Sequence, residues 1–265
     1  MMPDLKLWLR RRFLAWLRRK LRSESQPLPR FRRGETLLVF APHQDDETLG
    51  CGGLIIQAVG AGAIVRVVFI TDGRHSHPAH PEISPDQLTA MRAREARAAT
   101  GILGVSSQNL IFLGAPDGRL PHLGARERTH LVEHMRGLIK SLNPDCVFVC
   151  SALDGSSEHE AACELAGRAS AGLPTRVFEY LVWSQWSPRL LLRVVRASHE
   201  VYRCELSPES AALKRDAINA YRSQVEPSPP WSHPVLSHAF LSVFDATEEF
   251  FIIRPCPQHC RDQFS

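Results

Sequence analysis

The sequence predicts an α/β fold, a mostly parallel sheet of the Rossmann-like kind flanked by helices, and three observations carry the prediction. Residues 36–40, 63–71 and 145–150 are short, nearly unbroken apolar runs, as strands buried on both faces are. Helical periodicity occupies 85–103 and 125–142, between those runs. Polar residues gather directly after the runs, at the strand tips where open α/β sheets bind ligands. A chain of 265 residues suits one such domain, expected over 34–265, preceded by a basic helix at 1–22 and a linker at 23–33.

The leader stands apart in charge. Residues 1–33 hold eleven of the 32 Lys and Arg and two of the 28 acids, a local charge of +9 against −5 for the remainder. Leu5, Trp8, Leu9, Phe13, Trp16, Leu17 and Leu21 recur at spacings of three and four, which reads as one apolar helix face opposite a basic one. No apolar run approaches the roughly 20 residues of a membrane span, and Arg interrupts any secretory core. Residues 5–22 are thus expected to meet an anionic membrane surface. Packing on the chain's own domain, a homo-oligomer contact and an organelle-targeting presequence stay open. Nucleic acid is not the expected partner, since no groove-reading or base-stacking motif follows. Pro27 and Pro29 mark the linker.

The first strand runs into Pro42-His43-Gln44-Asp45-Asp46-Glu47-Thr48-Leu49-Gly50-Cys51-Gly52-Gly53. One imidazole beside two carboxylates is costly to bury unless something cationic joins them. Zinc takes both ligand types, and its catalytic sites use three protein ligands plus a water. An Asp pair capping a helix is the plainer alternative. Pro42-His43-Gln44-Asp45-Asp46-Glu47 with Gly50 and Gly52-Gly53 resembles the signature of the LmbE/PIG-L family of zinc-dependent N-deacetylases, with Gln44 where the family has Pro. The resemblance implies an LmbE-like fold, His43 and Asp46 as metal ligands, and Asp45 as general base.

Later elements supply the remaining parts. The second strand ends in Thr71-Asp72-Gly73, and the loop after it carries His75, His77 and His80, expected at most to line a substrate. Pro85 and Asp86 open a helix in which Arg92 and Glu95 share a face, the makings of a surface ion pair. The family has an Arg at this place that contacts sugar, which makes Arg92 a substrate-binding candidate. Asp117, in the turn after the short strand at 109–113, corresponds to a family Asp near the substrate hydroxyls. His122, His130 and His134 receive no role.

After the strand at 145–150, Ser156-Ser157-Glu158-His159 occupies the place of the family's HPDH element, and the resemblance makes His159 the third zinc ligand. Ser156 stands where the family has a His that helps hold the oxyanion or leaving group. A hydroxyl donates one hydrogen bond and stays neutral, so a weaker oxyanion site is expected, or a loop His75 or His77 in its place. Glu158 and Glu160 are expected to orient the His159 ring. Strands follow at 175–183 and 199–206, and a helix at 207–225 in which Lys214 and Tyr221-Arg222-Ser223-Gln224 resemble the family's C-terminal helix. A Pro- and Trp-rich loop at 225–238 is placed to cover the site, and a strand at 250–254 closes the sheet.

Seven cysteines without framework spacing fit a reducing, cytoplasmic setting, peripheral on the inner face of the membrane. Cys256, His259 and Cys260 lack a fourth ligand nearby, so no second zinc is expected there. The expected activity is zinc-dependent removal of an N-acetyl group from an N-acetylglucosamine-type, lipid-linked amino-sugar conjugate, with Fe2+ or Mn2+ also suited to the ligands. Two alternatives remain: a soluble deacetylase of a small glycoside in thiol or secondary metabolism, and a non-catalytic membrane adaptor.

Overall fold

The apolar runs become the strands of a single eight-stranded sheet. The structure is a computed structural model that describes residues 3–197 and 200–253, with side chains from Trp8 onward. The strands are β1 (Gln26–Pro27), β2 (Thr36–Ala41), β3 (Ile64–Thr71), β4 (Leu110–Ala115), β5 (Cys146–Cys150), β6 (Arg176–Tyr180), β7 (Glu200–Glu205) and β8 (Glu248–Ile253). Their order is β1-β7-β8-β6-β5-β2-β3-β4, and among the described residues only β8 runs antiparallel to its neighbours. From β2 the chain builds outward through β3 to β4, then returns to set β5 on the other side of β2. The crevice between the tips of β2 and β5 is therefore the switch point of the sheet, and the segments that carry His43 and His159 both leave from it.

The helices are α1 (Pro3–Glu24), α2 (Asp46–Gly60), α3 (Pro85–Ile102), α4 (Ala125–Leu142), α5 (Ser157–Ser170), α6 (Trp183–Trp186), α7 (Pro188–Arg196), α8 (Pro208–Asn219), α9 (Arg222–Val225) and α10 (His238–Leu241). Pro85 takes the first helical position of α3, as the sequence predicts, and Ser84 adds a capping box closed by Gln87. Val39, Phe40, Val67, Phe69, Val147 and Phe148 lie at the centre of the core, each fully buried. Gly50 and Gly53 lie in α2 because a Cβ there would stand 2.2 Å from the Tyr180 ring and 2.5 Å from Leu206. Their absent side chains let α2 settle directly against β6 and the chain after β7.

Several local expectations change. The helix expected over 207–225 breaks at Tyr221, whose φ of −81° and ψ of 58° separate α8 from α9. Tertiary contact is the cause, since the Tyr221 hydroxyl reaches in to donate to Glu47. The apolar run at 175–183 ends as a strand at Tyr180, and Trp183 begins α6. The stretch 23–33 holds the end of α1 and β1, which pairs with the edge of β7.

The apolar residues of α1 do not share one face. Leu14, Leu17 and Leu21 pack inward on Leu181, Leu191, Val194, Phe250 and Ile252, whereas Trp8, Leu9, Phe13 and Trp16 are exposed. At 100° per residue, 14, 17 and 21 fall on one side of the helix and 9, 13 and 16 on another. No helix among the described residues is long and apolar enough to cross a membrane. Cys256, His259 and Cys260, the last residue of the expected closing strand (Arg254) and the first of the strand expected at 199 (His199) lie outside the described residues.

Candidate metal centre

The β2 tip places His43, and the first turn of α2 places Asp46, three residues on and facing the same way. Asp45 occupies the N-cap position of α2 but makes no side-chain cap hydrogen bond, so its carboxylate faces the cleft instead of capping the helix. Its backbone has φ 155°, and the Glu47 carboxylate accepts its N–H at 3.1 Å. Gln44, which stands where the resembled signature has Pro, donates its side-chain amide to the Thr71 carbonyl at 2.8 Å and so ties the β2 tip to the β3 tip.

His159, on the first turn of α5, comes in from the β5 side. Its Nε2 stands 3.3 Å from Asp46 Oδ1, and His43 Nδ1 stands 3.1 Å from Asp46 Oδ2. The donor atoms of His43, Asp46 and His159 all lie within 4.8 Å of one another. A cation with bonds of about 2 Å spans donors about 3–4 Å apart. His159 Nε2 is buried and lacks any hydrogen-bond partner, while its Nδ1 donates to Asp154 Oδ2 at 2.7 Å. An imidazole pinned by one nitrogen with the other aimed at a carboxylate is the arrangement a metal ligand requires. The three residues therefore fit zinc.

Asp154 was not singled out by the sequence. It is fully buried and accepts from the backbone N–H groups of Val182, Trp183 and Ser184, from the Ser184 hydroxyl, and from His159. Glu158 and Glu160, expected to orient the ring, do not. Neighbours of His159 along a helix point elsewhere: Glu160 is exposed, and Glu158 turns toward His43 Nε2 at 3.7 Å. Ser156 caps α5 by accepting from His159 N at 3.5 Å, which leaves its hydroxyl proton free to donate into the cleft it lines.

Arg92 is buried; its guanidinium forms an ion pair with Asp45 Oδ2 at 3.2 Å and donates to the Gln44 carbonyl at 2.7 Å. Glu95 instead accepts from Ser223, so Arg92 and Glu95 belong to different networks. Asp117 shares its carboxylate between His43 Nε2 at 3.2 Å and the backbone N–H of His75 at 2.8 Å. Of the loop imidazoles, His75 lines the cleft, whereas His77 is buried in a stack on Trp231. The loop at 225–238 does reach the site: Val235 and Leu236 line the cleft, and Trp231 holds the His77 loop.

The charges follow from this packing. Burial alone would lower the imidazole pKa values. Hydrogen bonds that His43 donates to Asp117 and Asp46 reverse that for His43, to about 9, and the Asp46 charge with the bond donated to Asp154 reverses it for His159, to about 10. Asp46 is held down despite burial, chiefly by His159. Asp45 is raised by burial, lowered by Arg92 and raised again by Asp46, and comes to about 7. A cleft of about 450 Å3 leads to these groups, polar at His43, Asp45 and Asp117 and apolar at Trp183, Trp186, Leu190 and Phe240.

Residues 38–170 match the family described as GlcNAc-PI de-N-acetylase, PIG-L. The chain belongs to the PIG-L family. Within it, the chain is similar to the 1D-myo-inositol 2-acetamido-2-deoxy-alpha-D-glucopyranoside deacetylase of a Mycobacterium species, 36% identical over 107 residues that cover 37% of this chain and 34% of that protein. The PIG-L chain thus spans about a third of the length of such relatives. Among solved structures it shares its fold with the N,N'-diacetylchitobiose deacetylase of Pyrococcus horikoshii, with a TM-score of 0.58, 20% identity and coverage of 84% of this chain and 80% of that one. It shares it also with the zinc-inhibited form of the teicoplanin deacetylase Orf2, with a TM-score of 0.61, 21% identity and coverage of 82% and 97%.

Proposed function

We propose that the protein is a zinc-dependent N-deacetylase of an N-acetylglucosamine-type conjugate, with His43, Asp46 and His159 as the ligands. The observation that carries this reading is the convergence of His43, Asp46 and His159 donor atoms within 4.8 Å of one another, the buried His159 Nε2 standing 3.3 Å from Asp46 Oδ1, with the uncapped Asp45 carboxylate in the same cleft. When bound, the metal supplies Lewis-acid polarisation and a water of lowered pKa. Asp45, set near neutrality by burial against Arg92, takes the proton of the attacking water and returns it to the amine nitrogen as the C–N bond breaks. Acetate and a free amino sugar leave. The Ser156 hydroxyl donates to the carbonyl oxygen as charge gathers there. Arg92 holds Asp45 and, with Asp117, borders the place of the sugar. Asp117 and Glu158 steady His43 from its far nitrogen.

The apolar end of the cleft and the basic α1 favour a lipid-linked carrier and an anionic membrane surface as partner over a small soluble glycoside. Acetate release from soluble and lipid-linked N-acetylglucosaminyl glycosides tests the reading. Zinc-loaded protein should release acetate, and Asp45→Asn should lose about a hundredfold or more while still binding zinc. Release undiminished in Asp45→Asn, or none from any substrate with zinc bound, would refute it.

A further inference from the structure

The α1 helix has two apolar faces. The inward one, Leu14, Leu17 and Leu21, is consumed by the domain. The outward one leaves Leu9, Phe13 and Trp16 exposed at 51%, 41% and 47%, with the Phe13 and Trp16 rings stacked on each other 5.8 Å apart. Arg12, Arg19 and Lys20 flank this stripe and are exposed as well. A soluble surface seldom spends a Phe, a Leu and a Trp together on solvent, and a rim of cations around them suits a negatively charged interface.

The same helix backs the wall of the cleft without itself lining it. The Arg10 guanidinium lies 3.6 Å over the Trp186 ring and donates to the Trp186 carbonyl at 2.7 Å. Arg18 donates to the Val243 carbonyl at 3.1 Å, next to Phe244, which packs on Phe240. Trp186 and Phe240 are the apolar end of the cleft. Arg10 and Phe13 stand one helical turn apart, so the outward stripe begins where the cleft wall is clamped. Trp183 and Val235, both cleft-lining, are themselves exposed large apolar side chains.

We infer that the outward stripe of α1 docks flat on an anionic bilayer. Through the Arg10–Trp186 clamp it sets the apolar end of the cleft at the lipid surface, where the hydrocarbon part of a membrane-borne amino-sugar conjugate enters. The substrate half of this inference rests on the deacetylase reading above, and the docking half does not. Rigid packing of Leu14, Leu17 and Leu21 makes α1 a fixed foot of the domain, so docking also fixes the orientation of the cleft. The basic rim selects the lipid charge, since each Lys or Arg near the surface adds to attraction that salt screens.

The test uses the full chain with zinc, sedimented with vesicles of phosphatidylcholine alone or mixed with phosphatidylglycerol. A triple variant, Leu9→Ser, Phe13→Ser and Trp16→Ser, changes only exposed side chains. Wild type should sediment with the anionic vesicles and release at high salt, and the variant should bind about tenfold or more weakly. The variant should keep its rate on a soluble N-acetylglucosaminide and lose it on an N-acetylglucosaminyl lipid in the same vesicles. Equal vesicle binding by variant and wild type, or no binding by wild type, would overturn the inference. So would light scattering that finds wild type dimeric and the variant monomeric, which would assign the stripe to a second copy. Stripe-dependent binding with no acetate release from any substrate would leave the docking standing, remove its substrate half and count against the deacetylase reading instead.

Discussion

Replacing Asp154 by Asn should weaken zinc binding although Asp154 is not a ligand. Asp154 receives five hydrogen bonds in a fully buried position, three on Oδ1 and two on Oδ2. An Asn keeps one oxygen, and the better orientation leaves it with the three donors at Val182 and Ser184. The amide nitrogen then faces the Trp183 N–H and His159 Nδ1, both of which donate in the native site. The stranded Trp183 N–H costs about 1–3 kcal/mol. His159 can accept from the Asn only by moving its proton to Nε2, the atom the metal needs. A zinc affinity about 10- to 100-fold weaker follows, with melting lowered by a few degrees. Chelator competition gives the affinity, and an Asp154→Asn, His159→Ala double variant should bind no more weakly than His159→Ala alone. A well-folded Asp154→Asn protein within about twofold of wild-type affinity would refute the argument.

Zinc loading should release protons. In the metal-free protein His43 and His159 titrate at about 9 and about 10, so both are protonated at neutral pH and must give up a proton to ligate. Calorimetry in buffers of differing ionisation enthalpy should count about two, and affinity should climb steeply between pH 6 and 8. The same raised values give the metal-free protein stability that is fully present below the ordinary imidazole pKa and lost as pH rises through about 9 and about 10, an alkaline destabilisation that zinc-loaded protein should lack. Leu17→Ala should cost about 2–5 kcal/mol by denaturant titration, whereas Phe13→Ser should stay within about 0.5 kcal/mol. Equal costs would contradict the two-faced helix. Gly50→Ala, whose Cβ would meet the Tyr180 ring at 2.2 Å, should lose about 1–3 kcal/mol and weaken zinc binding by displacing α2.

What the sequence reveals of this site is what lies close in sequence. His43 and Asp46 are three residues apart, and His159 opens a helix after a buried strand, a placement consistent with the ligand set that the family resemblance implies. The orienting partner is hidden because Asp154 owes its place to backbone N–H groups at 182–184, which no side-chain pattern announces. Arg92 is visible as a candidate, but its engagement with Asp45 depends on how α3 lies against the β2 tip. The faces of α1 merge in the sequence because a stripe counted at threes and fours does not say which part meets the domain. The break at Tyr221 is likewise tertiary, a helix interrupted to satisfy a buried Glu47.

The short motif at 43–53 is held in place from far along the chain. Tyr180 and Tyr221 press on Gly50 and Glu47, and Glu249 accepts the N–H groups of Gly53 and Leu54 while pairing with Lys214. A nascent chain that has emerged only as far as residue 170 carries all three proposed ligands, His43, Asp46 and His159, and the proposed base, Asp45. It still lacks the donors that position Asp154, the phenol that donates to Glu47 and the Glu249 carboxylate that accepts from the middle of α2. Zinc presented during synthesis would thus meet loosely arranged ligands, and tight capture waits for β8, one of the last strands described, to close into the sheet.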